Sequence, residues 1–420
     1  MKAVLIGASG YGDYFYLDRL EHEIPDGLGK LCAVVDPFIR NAPRRPFLEA
    51  HYIPVYDSLE SFYEQDRADL VIIASPVPFH KEQVLCALSH GAAVLCEKPL
   101  VPVLQEADEL EAALKASGGL ETPCRSSGAP EWNSRLLVGF QWSYAPAMLR
   151  LKEDILAGKL GRPLTLKTCV SWRRPDAYYQ GSFWKGRIRD DAGRWVLDSI
   201  LSNATAHYLH NMLFLSGSSM DTAALPESVE GSLYRAREIE TYDTAFLRGQ
   251  FAGGAQFYIA VSHSAEQEAN PRLEYTFENA VVSLDTGTDG ILRAQWKDGT
   301  CREYGEINSK TGGNEKILAA FAAAQGTDTG RRPTCGIRTI RPHLAVCNAA
   351  LDHIPVTEIP ESFRMRVQEP QMTQVRGLYE ALEQGYRKML LPDELGCPWA
   401  APSVRFSLEG YDHFEGRLFT

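Results

Sequence analysis

The chain has 420 residues, 45% hydrophobic and 23% charged, enough for two or three domains that each bury a core. A formal net charge of -11 argues against nucleic acid or an anionic membrane as a partner. The first residues lack the charged-then-apolar pattern of a secretory signal, and no run of about 18 apolar residues offers a membrane span, so a cytoplasmic protein is expected. Nine cysteines without a C-x-x-C pair are expected to be reduced and mostly buried.

The first third alternates strand-like and helix-like segments. Short apolar runs at 4–6, 31–35, 52–55, 69–74, 92–96 and 136–140 read as strands. Segments 11–23, 80–90 and 104–117 read as helices, and the Gly/Ser/Pro-rich stretch 117–134 as a surface loop. Continuous apolar strands separated by helices predict a doubly wound parallel sheet, an N-terminal NAD(P)-binding Rossmann domain over 1–142. The pattern then changes. A helix over 147–157, a long helix over 194–215 and strands at 164–172, 232–239, 244–251, 256–262, 273–277, 281–284 and 292–296 predict a C-terminal α/β domain over 143–355 with a large, open, mainly antiparallel sheet. Helices are expected over 314–324 and 339–352. An amphipathic helix over 371–390 would lie in an extension, 356–420, packed on the second domain and covering either an interface or the site.

The first strand runs into Gly7-Ala8-Ser9-Gly10-Tyr11-Gly12. In the G-x-G-x-x-G register Gly7 makes the tight turn, Ser9 stands for the middle glycine, and Gly12 permits close helix packing; with Gly10 and Tyr11 this turn is placed to hold a pyrophosphate. Asp36, at the end of the second strand, is placed to accept hydrogen bonds from the adenosine ribose. That favours NAD, while Arg40, Arg44 and Arg45 keep NADP open. The fourth strand ends in Ser75-Pro76, followed by His80, which either lines the nicotinamide side or caps a turn. After the fifth strand comes Glu97-Lys98-Pro99.

Taken in this order, the glycine turn, Asp36, Ser75-Pro76 with His80, and Glu97-Lys98-Pro99 resemble the Gfo/Idh/MocA oxidoreductase family over roughly residues 1–355. The resemblance implies that Lys98 lies beside nicotinamide and substrate. Ser9, and Val77 where many members carry asparagine, depart from the family pattern. The family's D-x-x-x-H helix has two registers here. Asp198 is followed four residues later by Ser202, whereas Asn203 is followed by His207. At about 100° per residue Asn203 and His207 share a face of a continuous helix, with Asp198 nearly opposite His207; a break near Ser199 would bring Asp198 back in.

Imidazole titrates near neutrality and suits the base that takes a hydroxyl proton as hydride leaves. The expected catalytic set is therefore Lys98, His207, Asn203 and Asp198. Glu97 joins the cofactor-side residues, and Trp172, Arg173, Tyr178 and Trp184 are candidates for a sugar, with arginines able to meet a carboxylate or phosphate. His207 and His210 form an H-x-x-H pair, but no third ligand suggests a metal. The expected activity is hydride transfer between NAD and a sugar, cyclitol or related polyol, by a homo-oligomer joined through its open sheet face. NAD-dependent glycoside cleavage and non-catalytic NAD binding are the alternatives.

Overall fold

The computed structural model describes residues 1–22, 28–117, 135–326 and 334–417; apart from Ser117, the expected 117–134 loop lies outside them. The chain divides into two compact units. The first comprises Met1–Val101, Glu106–Tyr144 and Ser309–Arg338, and the second Pro102–Gln105, Ala145–Asn308 and Thr339–Thr420.

In the first unit, β1 (Lys2–Ile6), β2 (Lys30–Val35), β3 (Val55–Tyr56), β4 (Leu70–Ile73), β5 (Ala93–Cys96) and β6 (Leu136–Val138) form one sheet in the order β3-β2-β1-β4-β5-β6. Every pairing is parallel. All four residues of β4 and of β5 are buried, as expected of strands covered on both faces. The order reverses between β1 and β4, the switch point at which such sheets open a crevice beyond their carboxyl ends.

One domain boundary differs from expectation. Helix Ser309–Gln325, far along the chain, belongs to the first unit rather than the second. Its beginning carries Gly312 and Gly313, where a Cβ would lie 2.3 Å from the Gln141 carbonyl oxygen and 2.4 Å from the Phe15 ring. Two glycines inside a helix each cost roughly 1 kcal/mol; here they permit a close approach that no side chain could make.

The second unit is built on a ten-stranded mixed sheet. Its strands are β7 (Pro163–Ser171), β8 (Ser228–Arg235), β9 (Thr244–Gln250), β10 (Gln256–Ser262), β11 (Ala269–Phe277), β12 (Ala280–Asp285), β13 (Ile291–Trp296), β14 (Cys301–Glu306) and β15 (Val356–Glu358), with a short strand Val404–Ser407 pairing on the β8 edge beside β15. Neighbours are antiparallel except β7 with β10 and β8 with β15.

Two expected helices are corrected. The 194–215 segment is helical only at Ile200–Ala204 and Ala206–Leu215, interrupted at Thr205. The 371–390 segment begins as a strand, Gln371–Val375, hairpinned with Arg364–Gln368, and becomes helical only at Leu378–Lys388. The β-branched Thr373 and Val375 before Gly377 suit a strand better than a helix.

That helix packs on β7 and β10. Ile359, Val375, Leu378, Ala381, Leu382, Tyr386, Leu391 and Trp399 are buried against Cys169, Tyr234, Phe246, Tyr258 and Ala260 of the sheet. At Gly385 a Cβ would stand 2.2 Å from the Tyr258 hydroxyl, which donates to the Leu390 carbonyl at 2.8 Å. This stretch of sheet face, on which the expected oligomer would form, is covered by the chain's own extension. Leu382→Ala should lower stability by about 2–5 kcal/mol, read as an earlier denaturation midpoint, whereas Glu380→Ala on the exposed side of the same helix should leave it within roughly 0.5 kcal/mol. Equal midpoints for the two variants would show that the extension does not cap the sheet.

Candidate active site

The first unit gathers its candidate residues at the carboxyl ends of β1, β2, β4 and β5. Gly7 has φ of 82°, and a Cβ there would press within 2.7 Å of the Ser75 backbone nitrogen. A Cβ on Gly12 would lie 1.9 Å from the Gly7 carbonyl oxygen. Both positions therefore require glycine. Gly10 has nothing within 4 Å, and Ser9 and Gly10 are exposed at the rim of the turn. This leaves room for a pyrophosphate against backbone at the switch point, so the residues present fit NAD.

Asp36 is buried; it accepts from the Ala8 amide through Oδ2 and from the Phe38 amide through Oδ1, each at 2.8 Å. The carboxylate is thereby fixed against the glycine turn. Of the nearby arginines, Arg44 is engaged with Asp18 at 2.8 Å and Arg45 with Glu49 at 2.7 Å.

His80 braces two loops. Its buried ring places Nδ1 3.0 Å from the Pro99 carbonyl oxygen and Nε2 2.8 Å from that of Ser75. It ties the loop after β4 to the Glu97-Lys98-Pro99 segment, and burial pushes its pKa below the ordinary histidine value. Ser75 in turn donates its hydroxyl to Gln83 at 2.6 Å.

Glu97 is the centre of this unit's site. Its Oε1 accepts from the Tyr16 hydroxyl at 2.7 Å and from the Lys316 ammonium, and its Oε2 from the Lys98 backbone amide at 3.2 Å. Gly139 makes room for the carboxylate, since a Cβ there would lie 2.7 Å from Oε2. Burial alone would raise the Glu97 pKa, but the Lys316 charge and its hydrogen bond outweigh it and hold the carboxyl below the usual range. Lys316 is fully buried, ringed by Phe15, Tyr16 and Tyr11 with centroids 4.5, 4.9 and 5.8 Å from the ammonium. Burial pushes its pKa down against the pull of Glu97.

No sequence motif marks Lys316. It lies 218 positions after Lys98 in the chain, and the only local signal was the glycine pair at the start of its helix.

The second unit holds another cluster. Asp198 follows Leu197, a buried residue with φ of 46°, a left-handed conformation that costs a non-glycine residue about 1–2 kcal/mol. Asp198 accepts from the Gly186 amide at 2.6 Å and from the Asn203 amide nitrogen at 2.8 Å. A continuous helix would have set Asp198 apart. Instead helix geometry starts only after Ser199, whose side chain caps it, and Asp198 and Asn203 become a hydrogen-bonded pair. His207 stands in the first turn of the next helix. His210 is a core residue, with its pKa far below ordinary because of burial, His343 and Lys152. No His/Cys/Asp/Glu cluster among the described residues could hold a metal.

The aromatic segment divides by role. Asp176 is buried and structural, bound to Arg237 at 2.9 Å and to the Thr373 amide at 3.0 Å. Arg173 faces Glu268 at 3.7 Å. Trp172 meets Tyr208 edge-on at 5.6 Å, and Tyr178 carries the Lys185 ammonium 4.0 Å from its ring centre. Burial, then Asp198, raises the Tyr178 pKa, with Arg174 opposing. Trp184 donates its backbone amide to Ser182 at 3.4 Å. A cavity of about 630 Å³ opens beside Tyr179, Lys185, Gly186, Arg237 and Glu240.

Comparison with known proteins agrees with this architecture. Residues 1–121 match the family described as "Oxidoreductase family, NAD-binding Rossmann fold", and residues 148–283 match "GFO/IDH/MocA C-terminal domain". An inositol 2-dehydrogenase of Streptomyces avermitilis is 29% identical over 80% of this chain and 94% of its own. A scyllo-inositol 2-dehydrogenase (NADP(+)) of Bacillus subtilis, IolU, is 29% identical over 30% of this chain and 34% of its own. The crystal structure of an aldose-aldose oxidoreductase from Caulobacter crescentus superposes with a TM-score of 0.64 at 17% identity, over 83% of this chain and 96% of that one. No helix among the described residues is long and apolar enough to cross a membrane.

Lys316→Met should destabilise the first unit by about 3–5 kcal/mol, because Glu97 is left as a buried, uncompensated charge. Adding Glu97→Gln should recover most of that loss. A single variant as stable as the parent would mean that the pair is not coupled.

Proposed function

Because the chain belongs to the Gfo/Idh/MocA oxidoreductase family, with an NAD-binding Rossmann domain, we propose that it transfers a hydride between NAD and a hydroxyl-bearing carbon of a sugar or cyclitol. Lys98 supports this reading most directly: it follows a carboxylate locked by Tyr16 and Lys316, at the carboxyl end of β5 and beside the glycine turn's switch point.

When bound, NAD supplies the hydride acceptor. The protein's task is the proton and the developing charge. In alcohol oxidation the role read for His207 is that of the general base for the hydroxyl proton, and the role read for the Lys98 ammonium is to stabilise developing alkoxide charge. Asp198 and Asn203, held to each other, position the substrate's neighbouring hydroxyls. Asp36 engages the adenosine ribose. Its buried carboxylate would repel a 2′-phosphate, and Arg44 and Arg45 already have carboxylate partners, which supports NAD over NADP.

Lys98→Ala and His207→Ala should each lower kcat by about 10²–10⁴-fold in NADH formation from a panel of cyclitols and aldoses. Wild-type turnover in both variants would refute the assignment. Asp36→Ser should narrow the preference for NAD over NADP, measured as the ratio of kcat/KM values; an unchanged ratio would remove Asp36 from cofactor recognition.

A further inference from the structure

Two cations in the second unit have no assigned task. The Arg174 guanidinium lies 5.6 Å from the Trp172 ring centre and 5.5 Å from that of Tyr178, and the Lys185 ammonium lies 4.0 Å from the Tyr178 ring. Stacking on aromatic faces holds both in place without neutralising either. Arg174 Nε is buried and has no hydrogen-bond partner among the described residues.

Four carboxylates near this segment are engaged elsewhere. Asp198 serves the Gly186 amide and Asn203. Asp176 serves Arg237 and Thr373, Glu268 faces Arg173, and Glu266 accepts from the Gly377 and Tyr379 amides. Asp198 alone lies close enough to Lys185 to oppose the fall in its pKa that burial causes. Lys185 thus has Asp198 as its opposing charge, and Glu240, which lines the same cavity as Lys185 and Glu238, accepts from the Ile188 amide at 2.7 Å and faces Arg187 at 3.7 Å.

A third basic group adds no charge. His263 is buried, with Nδ1 2.6 Å from the Tyr179 hydroxyl, and burial together with Arg174, Arg237 and Lys185 keeps its pKa far below ordinary. The local charge is thus carried by Arg174 and Lys185, beside the Asp198–Asn203 pair already placed in the substrate site. The excess positive charge, the open guanidinium donor and the flanking Trp172 and Tyr178 faces all suit one kind of ligand, a sugar ring carrying an anionic group.

We infer that the substrate is an anionic sugar, its carboxylate or phosphate held between Arg174 and Lys185 while Trp172 and Tyr178 bear on the ring. The inference rests on the dehydrogenase reading above for the chemistry, but not for the binding.

The test compares D-glucuronate, D-glucose 6-phosphate and D-glucose, both as substrates with NAD and as ligands by calorimetry, for the wild type, Arg174→Gln, Lys185→Gln and Arg174→Lys. At least one anion should be preferred over glucose by roughly 10–100-fold, the scale of one or two charge-assisted hydrogen bonds. Which anion wins distinguishes a carboxylate from a phosphate. The preference should collapse toward unity in both glutamine variants and return in part in Arg174→Lys; NAD binding in each variant serves as the control for folding. An unchanged anion-to-glucose ratio in the variants, or binding of neither anion below roughly 10 mM, overturns the inference. Turnover of glucose without anion preference removes the anion site and leaves the dehydrogenase. Arg174-dependent binding of an anion without NADH formation from any of the three leaves the anion site and removes the dehydrogenase reading.

Discussion

A single buried ion pair, Lys316 with Glu97, organises the first unit. A lysine with no exposed surface is expensive unless a partner repays the lost hydration. Here the repayment comes from Glu97, the Tyr16 hydroxyl and three ring faces. The consequence reaches the strand end. Glu97 cannot rotate without abandoning Lys316, so the backbone of Lys98, which donates to the same carboxylate, is held in one place. His80 restrains the other side of the segment through the Pro99 carbonyl. The backbone of Lys98, on a loop, is thereby given the precision of a packed element.

In the second unit an analogous job falls to Arg237. It is buried and binds Asp176, Asp243, Ser264 and the carbonyls of Arg174, His263 and Thr373. The loop after β7, the end of β10 and the hairpin of the extension are joined through one guanidinium, whose five donors in a rigid fork make such bridging possible. The extension covers the sheet and also supplies the Thr373 contacts that fix Asp176, next to the aromatic segment. Leu197 adds a local constraint, its left-handed backbone setting the point at which Asp198 leaves the chain.

Part of the candidate site was legible in the sequence because its residues sit at fixed offsets from strand ends. Gly7 and Asp36 directly follow β1 and β2, Gly12 and Lys98 come within six and two residues of the ends of β1 and β5, and the steric demand for glycine at the turn is local. Where the reading failed, the determining contact was distant in sequence. Helical periodicity through 198–207 assumed a continuous helix; the break after Leu197, fixed by the Gly186 amide and the Thr241 hydroxyl, replaced a same-face argument with a hydrogen bond. The 371–390 segment is amphipathic in its helical part, Leu378–Lys388, while its first residues pair in a hairpin with Arg364–Gln368.

The sequence by itself determined the two-domain class, the glycine turn, the acidic end of β2 and the placing of Lys98, because buried parallel strands and tight turns impose their requirements on adjacent residues. Only the tertiary structure decided that Lys316 neutralises Glu97, that Asp198 pairs with Asn203, that Arg173 faces Glu268 while Arg174 lies against Trp172 and Tyr178, and that the extension covers the sheet. Each of these depends on which charges and faces meet across long loops, and burial decides them by making an unpaired group costly.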